Sequence, residues 1–284
     1  MTTSVAGSSA AALPEHLETL AVSRETPAAH VAEVSMTARA MAPAFFAELP
    51  AVMRALDADP EVRAIVVTGA EGRFSYGLDL RAATSSLGSV LSDPTAGARE
   101  EFLHHLRDLQ AAITAVADCR TPVVAAVQGW CVGGGVDLIT ACDVRLASTD
   151  ALFSVREVRM AMVADLGSLQ RLVGIIGDGH LRELALTGAD VDAAHAERIG
   201  LVNRVLDGEE ALRTAAFELA GSMAANSPLV TRGIKDVLDA ERGPRVEAGL
   251  RYVGAWNAAF LPSADLAEAF TAFGERREPR FTGR

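Results

Sequence analysis

The chain has 284 residues, half of them hydrophobic, and its 26 basic and 37 acidic side chains give a formal net charge of -11. This length allows one large domain or two small ones, with a sizeable core. The acidic balance argues against nucleic acid as the main partner, because nucleic acid requires a basic face. No run of about 18 apolar residues lacks a charge, so we expect no membrane span.

The cysteines and the two ends of the chain bear on its location. Cys119, Cys131 and Cys142 lie in apolar segments at spacings that match no zinc site, so we interpret them as buried free thiols in a reducing compartment. Residues 1–15 are predicted to form a disordered tail without signal-peptide features, and the last residues do not match a peroxisomal address. We therefore expect a cytoplasmic location.

The first part of the chain predicts strands around one helix. Alternating and clustered apolar residues predict two paired strands at 20–24 and 30–36. Helical spacing of apolar residues predicts a helix over 43–57. Residues 63–68 form a short, strongly apolar segment, typical of a strand buried on both faces. A glycine-containing loop follows at 74–80.

The middle of the chain alternates between strands and helices. Residues 82–96 are rich in Ser, Gly and Pro, so we expect them to be mobile, and a helix is predicted at 101–116. Strands are predicted at 122–127 and 143–147, with glycines and a helix over 136–142 between them. This alternation predicts an α/β fold with parallel strands.

The last part of the chain is predicted to be mainly helical, with one strand-like apolar run at 201–206. After the tail we therefore divide the chain into a core, residues 16–208, and a C-terminal helical module, residues 209–284. Four helices are predicted in this module, over residues 209–225, 228–240, 244–260 and 263–273.

Three consecutive glycines, Gly133, Gly134 and Gly135, follow the apolar strand at 122–127 and precede a helix. Glycines let the backbone turn sharply and let a ligand approach closely. The start of a helix directs unpaired N–H groups at whatever binds there. This arrangement favours an oxygen atom that gains negative charge, and Asp137 lies close enough in sequence to move protons beside it.

Two segments together resemble the crotonase (enoyl-CoA hydratase/isomerase) family. The sequence FSYGLDL at residues 74–80 resembles the family's F-S-x-G-x-D-L loop. The sequence PVVAAVQGWCVGGGVDLITACD at residues 122–143 resembles its P-V-x-A-A-x-x-G-x-x-x-G-G-G-x-[DE]-L-x-x-x-C-D run. The resemblance extends through residues 201–205 and the C-terminal helices. It implies an α/β crotonase-like spiral of ββα units with a C-terminal helical trimerisation module.

The resemblance also implies where an acyl-CoA thioester would bind. In the family the thioester carbonyl lies between two backbone N–H groups, which match Leu78 and Gly134 by position. Each such donor stabilises the enolate formed by proton loss beside the thioester by about 3 kcal/mol. The other residues that these motifs assign to substrate binding are Tyr76, Gly77, Asp79, Leu80, Arg81, Gly133 and Gly135.

Three acids match catalytic positions of the family. Asp137 lies where hydratases usually carry glutamate, Glu157 matches the second catalytic acid, and Asp165 lies where hydratases commonly have glycine. Together they resemble the dienoyl-CoA isomerase branch, which converts 3,5-dienoyl-CoA to 2,4-dienoyl-CoA. We assign Asp165 as the base at C2 and Glu157 as the proton donor near C6, with Asp137 orienting or polarising the dienyl system.

The chemistry of this isomerisation requires such a set of acids. One proton leaves C2 and another arrives at C6, so two carboxyls are needed at separate points along the acyl chain, one ionised and one protonated. A pocket of low dielectric holds carboxyls in different states. Hydration instead needs two acids that hold one water beside C3, and the short Asp137 side chain would hold that water poorly.

Each acid also has a purely structural interpretation. Asp137 could cap its own helix. Glu157 could be a surface acid paired with Arg156 or Arg159. Asp165 could be the N-cap of the helix that follows it.

Two other functions therefore remain open: enoyl-CoA hydratase, which shares the oxyanion loops, and a non-catalytic acyl-CoA-binding protein. The segment at 36–41 lacks the asparagine and proline of the family's CoA loop, and Tyr76 is bulkier than the usual alanine or serine. No metal or prosthetic group is expected, because the chemistry is acid–base and coenzyme A arrives with the substrate. The resemblance further implies a homotrimer or a dimer of trimers.

Overall fold

A computed structural model describes residues 12–82, 93 and 95–284. The expectations about residues 1–11 and most of the segment 82–96 lie outside these residues. In chain order, the strands are β1 (Leu20–Ser23), β2 (Val31–Met36), β3 (Ala64–Thr68), β4 (Val123–Val127), β5 (Trp130–Val132), β6 (Val144–Ser148), β7 (Leu152–Ser154), β8 (Val191–Asp192) and β9 (Arg204–Leu206).

Two sheets organise these strands. The larger has the order β1-β2-β3-β4-β6-β9, and the smaller has the order β5-β7-β8. The predicted pairing of the first two strands is confirmed as antiparallel, with Val22 opposite Val34. From β2 onward the large sheet is parallel, which places the carboxyl ends of its strands at one edge. In the small sheet, β5 and β7 are parallel and β8 is antiparallel to β7.

Eight α-helices and one 3₁₀ helix alternate with or follow these strands in the described part of the chain. They are α1 (Pro43–Ala58), α2 (Ala96–Ala117), α3 (Gly134–Ala141), α4 (Ser168–Thr187), α5 (Ala193–Arg198), α6 (Gly208–Ala224), α7 (Pro228–Phe260) and α8 (Ala264–Glu275), and a 3₁₀ helix spans Glu157–Met160. Gly177, at a φ of 76°, interrupts the helical backbone within α4.

Strand β3 is buried on both faces, as its apolar sequence at 63–68 predicted. Alternate residues of a strand point to opposite faces. Ile65 and Val67 therefore join one core cluster, which includes the buried faces of α1 and α2. Ala64 and Val66 join the other, against Phe217 of α6. The predicted strand at 201–206 is shorter than expected, because only its last three residues pair with β6.

One long helix replaces two predicted ones near the end of the chain. The sequence predicted a break before Pro244, but α7 continues through this proline without non-helical backbone angles. Proline removes one helical N–H, and its ring clashes with the Cβ of the preceding residue when that residue is helical. Here the preceding residue is Gly243, which has no Cβ, so this clash is absent and the helix continues. None of the helices in the described part of the chain is both long and apolar enough to cross a bilayer.

The C-terminal helices pack on the core of the same chain. α7 contacts both α2 and α4, and α8 contacts the 3₁₀ helix. Two of their apolar side chains, Leu261 and Phe273, line the cavity described below. The predicted helical module therefore contributes walls to the site of its own chain.

Candidate active site

One cavity of about 600 Å³ brings together most of the predicted site residues. Apolar side chains such as Phe102, Leu106 and Phe273 form much of its wall, so it suits a ligand with a long apolar part. The predicted site residues that line it are Tyr76, Gly77, Leu78, Asp79, Leu80, Arg81, Gly133, Gly134, Asp137, Glu157 and Asp165.

The loop at residues 74–80 is fixed to the small sheet by backbone hydrogen bonds. The N–H groups of Phe74 and Ser75 donate to the carbonyl of Trp130 at 3.1 and 2.8 Å, and that of Val132 donates to the Ser75 carbonyl at 2.9 Å. The buried Ser75 hydroxyl accepts from Gly77 N–H at 3.1 Å. The loop is thereby held in register with β5.

Glycine is required at position 77. Its φ is 81°, in the left-handed region, and a Cβ there would lie 2.8 Å from the Val132 carbonyl oxygen. The turn leaves Leu78 beside Gly134, where an added Cβ would lie 3.0 Å from Leu78 Cδ1. Within the described residues, neither the Leu78 nor the Gly134 N–H donates a hydrogen bond to the protein. Two N–H groups without an acceptor in the described part of the chain therefore adjoin the cavity.

The glycines on either side of Gly134 have different surroundings. Gly133 has a φ of 54°, and a Cβ there would lie 3.1 Å from Glu157 Oε1. Gly135 was predicted to bind substrate, but the structure places it behind the cavity wall. A Cβ at Gly135 would meet that of Ser75 at 3.1 Å, so this position lets α3 approach the 74–80 loop.

Asp137 lies in the first turn of α3 and is 1% exposed. It does not cap its own helix; its Oδ1 accepts the N–H of Ser168, the first residue of α4, at 2.6 Å. Burial raises the pKa of Asp137 to about 6, and the Ser168 N–H and the charge of Arg171 act against this rise.

Glu157 begins the 3₁₀ helix and is not the surface ion pair that one interpretation allowed. Arg156 pairs instead with Asp190 at 2.5 Å. The Oε2 atom of Glu157 is buried, with no hydrogen-bond partner among the described residues. Burial raises the pKa of Glu157 to about 8, and the nearby charges of Asp137 and Asp165 add to the rise. This rise favours the protonated form of Glu157.

Asp165 lies in the loop between the 3₁₀ helix and α4. The N-cap of α4 is Gly167, so Asp165 does not cap this helix. Its Oδ2 instead accepts from Nδ2 of Asn257 in α7 at 2.6 Å. Burial raises the pKa of Asp165 to about 7; Asn257 acts against this rise, and the charge of Asp137 adds to it.

Two buried amides that support Asp165 were missed by sequence reasoning. Asn257 contacts its carboxylate, and Gln110 of α2 donates to its backbone carbonyl at 2.8 Å. The sequence could have indicated Gln110, because it follows Phe102 and Leu106 at four-residue spacing on the buried face of α2. A polar residue in an apolar helix stripe must find a partner.

Asp79 and Tyr76 complete the wall near the predicted carbonyl site. Asp79, which the motif assigned to substrate binding, fixes its own loop, because its Oδ1 accepts from the N–H groups of Arg81 and Ala82. Tyr76 is 42% exposed, and the guanidinium of Arg73 lies 5.8 Å from its ring centroid. The described residues contain no group of three or more side chains that could hold a metal ion.

The arrangement suits proton transfer on a carbonyl compound. Two backbone donors can stabilise negative charge on an oxygen atom. Three carboxyls border the same cavity, and burial raises the pKa of each toward neutral pH. One ionised and one protonated carboxyl can remove a proton at one carbon and deliver a proton at another.

Comparisons with known proteins identify the family of this chain. The sequence profile of the enoyl-CoA hydratase/isomerase family matches residues 26–284. The chain is 43% identical over 242 residues to the peroxisomal Delta(3,5)-Delta(2,4)-dienoyl-CoA isomerase of Arabidopsis thaliana, covering 84% of this chain and 86% of that protein. It is 39% identical over 237 residues to the mitochondrial enzyme of the same name from Dictyostelium discoideum, covering 84% and 81%.

A solved structure shows the same fold. The chain superposes on an enoyl-CoA hydratase/isomerase from Xanthobacter autotrophicus Py2 with a TM-score of 0.80 and 28% identity, covering 92% of this chain and 94% of that one. The predicted crotonase-like α/β fold is thereby confirmed.

The comparisons contradict the cytoplasmic location expected from the sequence. The curated relatives from Arabidopsis thaliana, Dictyostelium discoideum and Mus musculus are named as peroxisomal or mitochondrial proteins. The expectation was wrong because it used the absence of simple address motifs, which are short segments read by receptors and are independent of the folded core.

Proposed function

The chain belongs to the enoyl-CoA hydratase/isomerase family, and from this premise we propose that it isomerises 3,5-dienoyl-CoA to 2,4-dienoyl-CoA. The observation that carries the proposal is the set of three carboxyls in unlike environments around one cavity. The isomerase names of relatives at 43% and 39% identity support it.

The thioester carbonyl would accept hydrogen bonds from the N–H groups of Leu78 and Gly134. Loss of a proton from C2 moves negative charge onto the carbonyl oxygen and along the conjugated chain. The two N–H groups are already oriented, because the 74–80 loop and the start of α3 are fixed by their own hydrogen bonds. Preset donors of this kind stabilise the charge without reorganisation, each by about 3 kcal/mol.

The two proton transfers would be divided between Asp165 and Glu157. The Asp165 carboxylate takes the C2 proton, and the electron pair of that C–H bond forms a C1–C2 double bond in the enolate. The carbonyl then re-forms: the C1–C2 pair moves to C2–C3, the C3–C4 pair moves to C4–C5, and the C5–C6 pair takes a proton from Glu157 at C6. Asp165 ends protonated and Glu157 ionised, and proton exchange restores both.

Asp137 would act through its charge and its position. Its carboxylate accepts the Ser168 N–H, which favours the ionised form. An anion here raises the pKa of Glu157 and thereby keeps the proton donor loaded. It also polarises the dienyl system that lies between the other two acids.

A spectroscopic assay tests this function. Incubation of the protein with 3,5-dienoyl-CoA is expected to raise the absorbance of the conjugated 2,4-dienoyl thioester. No rise, together with hydration of 2-enoyl-CoA, would assign the protein as a hydratase. Neither reaction, together with a thermal shift on addition of acyl-CoA, would assign it as a non-catalytic binding protein. The proposal needs no resident cofactor, because coenzyme A arrives with the substrate.

The exposed side of α7 supports assembly into a homotrimer or a dimer of trimers. Leu229, Val237 and Leu238 are apolar and largely exposed on this helix. Exposed apolar groups on one helix favour contact with another protein surface. Sedimentation of the wild type should give a trimer or hexamer, and Val237→Asp should reduce the assembled fraction. A monomeric wild type would contradict this assignment.

A further inference from the structure

Asn257 is a buried amide that links the C-terminal helix α7 to the cavity. It is 2% exposed. Its Nδ2 donates to Asp165 Oδ2 at 2.6 Å and to the backbone carbonyl of Val163 at 2.9 Å. These contacts join residues that are 92 and 94 positions apart in the chain, so the fold creates this pairing and local sequence does not.

The Val163 contact determines which side of the amide faces Asp165. A carbonyl oxygen can only accept, so the amide nitrogen of Asn257 must face Val163, and both of its hydrogens are used in the two contacts. Asn257 therefore presents a donor to Asp165. A donor stabilises a carboxylate and gives nothing to the O–H of a protonated acid.

Glu157 has the opposite surroundings. Its buried Oε2 has no hydrogen-bond partner within the described residues. Backbone N–H groups at residues 156 and 157 act on this acid, but no side-chain amide among the described residues compensates its burial, so the neutral acid is favoured there. The two acids on this cavity wall therefore differ in whether a fixed side-chain amide contacts them.

We propose that Asn257 is a positioning residue that holds Asp165 as the ionised proton acceptor at C2. This inference rests on the proposed function, because it assigns the reason why one acid serves as base. The amide also fixes the direction of the carboxylate, since it ties Oδ2 to a nitrogen held by the main chain of Val163.

Other charges face the same cavity and must be considered in any pH measurement. Asp137 raises the pKa of Asp165, so it acts against Asn257. Besides Asp165, the charged and titratable side chains that line the cavity are Tyr76, Asp79 and Arg81 from the 74–82 segment, His105 from α2, Asp137 from α3, and Arg156, Glu157 and Arg159 at the 3₁₀ helix. Arg171 of α4 acts on the cavity through Asp137.

The test removes the donor and follows the pH dependence of C2 proton removal. Asn257→Leu has similar volume and no donor, so the pKa of Asp165 should rise. The acidic limb of the kcat/KM profile should then move up by about 1 pH unit or more, because a hydrogen bond to a charged group has about that effect. Asn257→Leu should therefore be less active than the wild type at pH values around the shifted limb and should recover activity at higher pH.

A second variant guards against a folding defect in the first. Asn257→Asp keeps the shape of the side chain but places a carboxyl against Asp165, so the two share a proton and the limb should again move up. Gln110→Met is the matched control, since it removes a buried amide that contacts the Asp165 carbonyl and not its carboxylate. It should lower the Tm and leave the limb in place.

A measurement without turnover separates this inference from the proposed function. Infrared titration follows the C=O stretch of protonated carboxyls, and loss of one band in Asp165→Asn identifies that of Asp165. In Asn257→Leu this band should persist to higher pH. An unshifted band, or an equal shift in Gln110→Met, overturns the role of Asn257 even if the wild type isomerises dienoyl-CoA. A shifted band in a protein without isomerase activity supports the hydrogen-bond role and contradicts the proposed function.

Discussion

The Asp137 carboxylate accepts the Ser168 N–H at 2.6 Å, so an acid in α3 holds the first residue of α4. Asp165 lies three residues before that helix start, in the loop that this bond fixes at one end. The position of one acid therefore depends on the hydrogen bond of another. This bond also holds the negative charge of Asp137 close enough to raise the pKa of both Glu157 and Asp165.

Replacement of Asp137 by asparagine should move the whole pH profile of isomerisation to lower pH. The new side-chain amide would still offer an oxygen to Ser168, so the helix start is retained while the charge is lost. Because the Asp137 charge raises the pKa of both Glu157 and Asp165, both limbs should move down. The kcat/KM profile of Asp137→Asn measures this, and limbs that stay in place would refute the electrostatic role.

Glu157→Gln should separate the two proton transfers. Glutamine cannot deliver a proton to C6, so isomerisation should fall by roughly 10²–10⁴-fold. Asp165 is intact, so the variant should still exchange the C2 proton of the substrate with D₂O. Mass spectrometry of recovered substrate measures the exchange.

Asp165→Asn is the control for this separation, since it should lose both isomerisation and C2 exchange. If Glu157→Gln loses exchange and Asp165→Asn keeps it, the two roles are reversed.

Gly77→Ala should damage the pair of backbone donors. Its φ is 81°, and the new methyl group would lie 2.8 Å from the Val132 carbonyl, so the loop that carries the Leu78 N–H must shift. Loss of one such donor lowers kcat by about 10²–10³-fold. Gly72→Ala is a matched control, because its φ of 75° is similar and no atom lies within 4 Å of the added Cβ. Equal kcat values for the two variants would argue against the donor role.

The buried acids should make the protein less stable as pH rises. The pKa of Glu157 is about 8 in the folded protein, above its ordinary 4.5, so the native state binds this proton more tightly than the unfolded state. The resulting stability is fully present below about pH 4.5 and is lost as pH rises through about 8. The Tm of the wild type should therefore decline from about pH 5 to pH 9.

Glu157→Gln should make this decline shallower, as measured by calorimetry. The matched Glu268→Gln exchange should leave the slope between those pH values unchanged, because hydrogen bonds from Arg277 lower the pKa of Glu268 to about 2. A Glu157→Gln slope equal to that of the wild type would show that this acid is not desolvated.

Local pattern was sufficient to predict the elements near the cavity. The apolar segment at 122–127, the three glycines and the helix after them depend on neighbouring residues alone, and β4 and α3 follow them closely. Asp137, Glu157 and Asp165 were predicted together and line one cavity. Their assignment used the family resemblance, since spacing along the chain does not show that residues 137 and 165 border the same cavity.

Tertiary contacts explain what the sequence did not predict. The roles of Asn257 and Gln110 depend on the packing of α7 against α2, because each side chain donates a hydrogen bond to a residue at least 55 positions away. The continuous helix through Pro244 was not predicted, because proline is a local helix breaker and its tolerance here depends on context. Gly135 shares a motif with Gly134, and only the fold separates their roles.

Trp256 and Asn257 are adjacent in α7, yet the first is largely open to solvent and the second is enclosed. A rigid helix that rotates or slides moves both residues together. A displacement of its outer surface, where the tilted rings of Trp256 and Phe260 lie 4.5 Å apart, would therefore also move the amide that contacts Asp165. A protein that bound this surface would then alter proton abstraction without any of its residues entering the cavity.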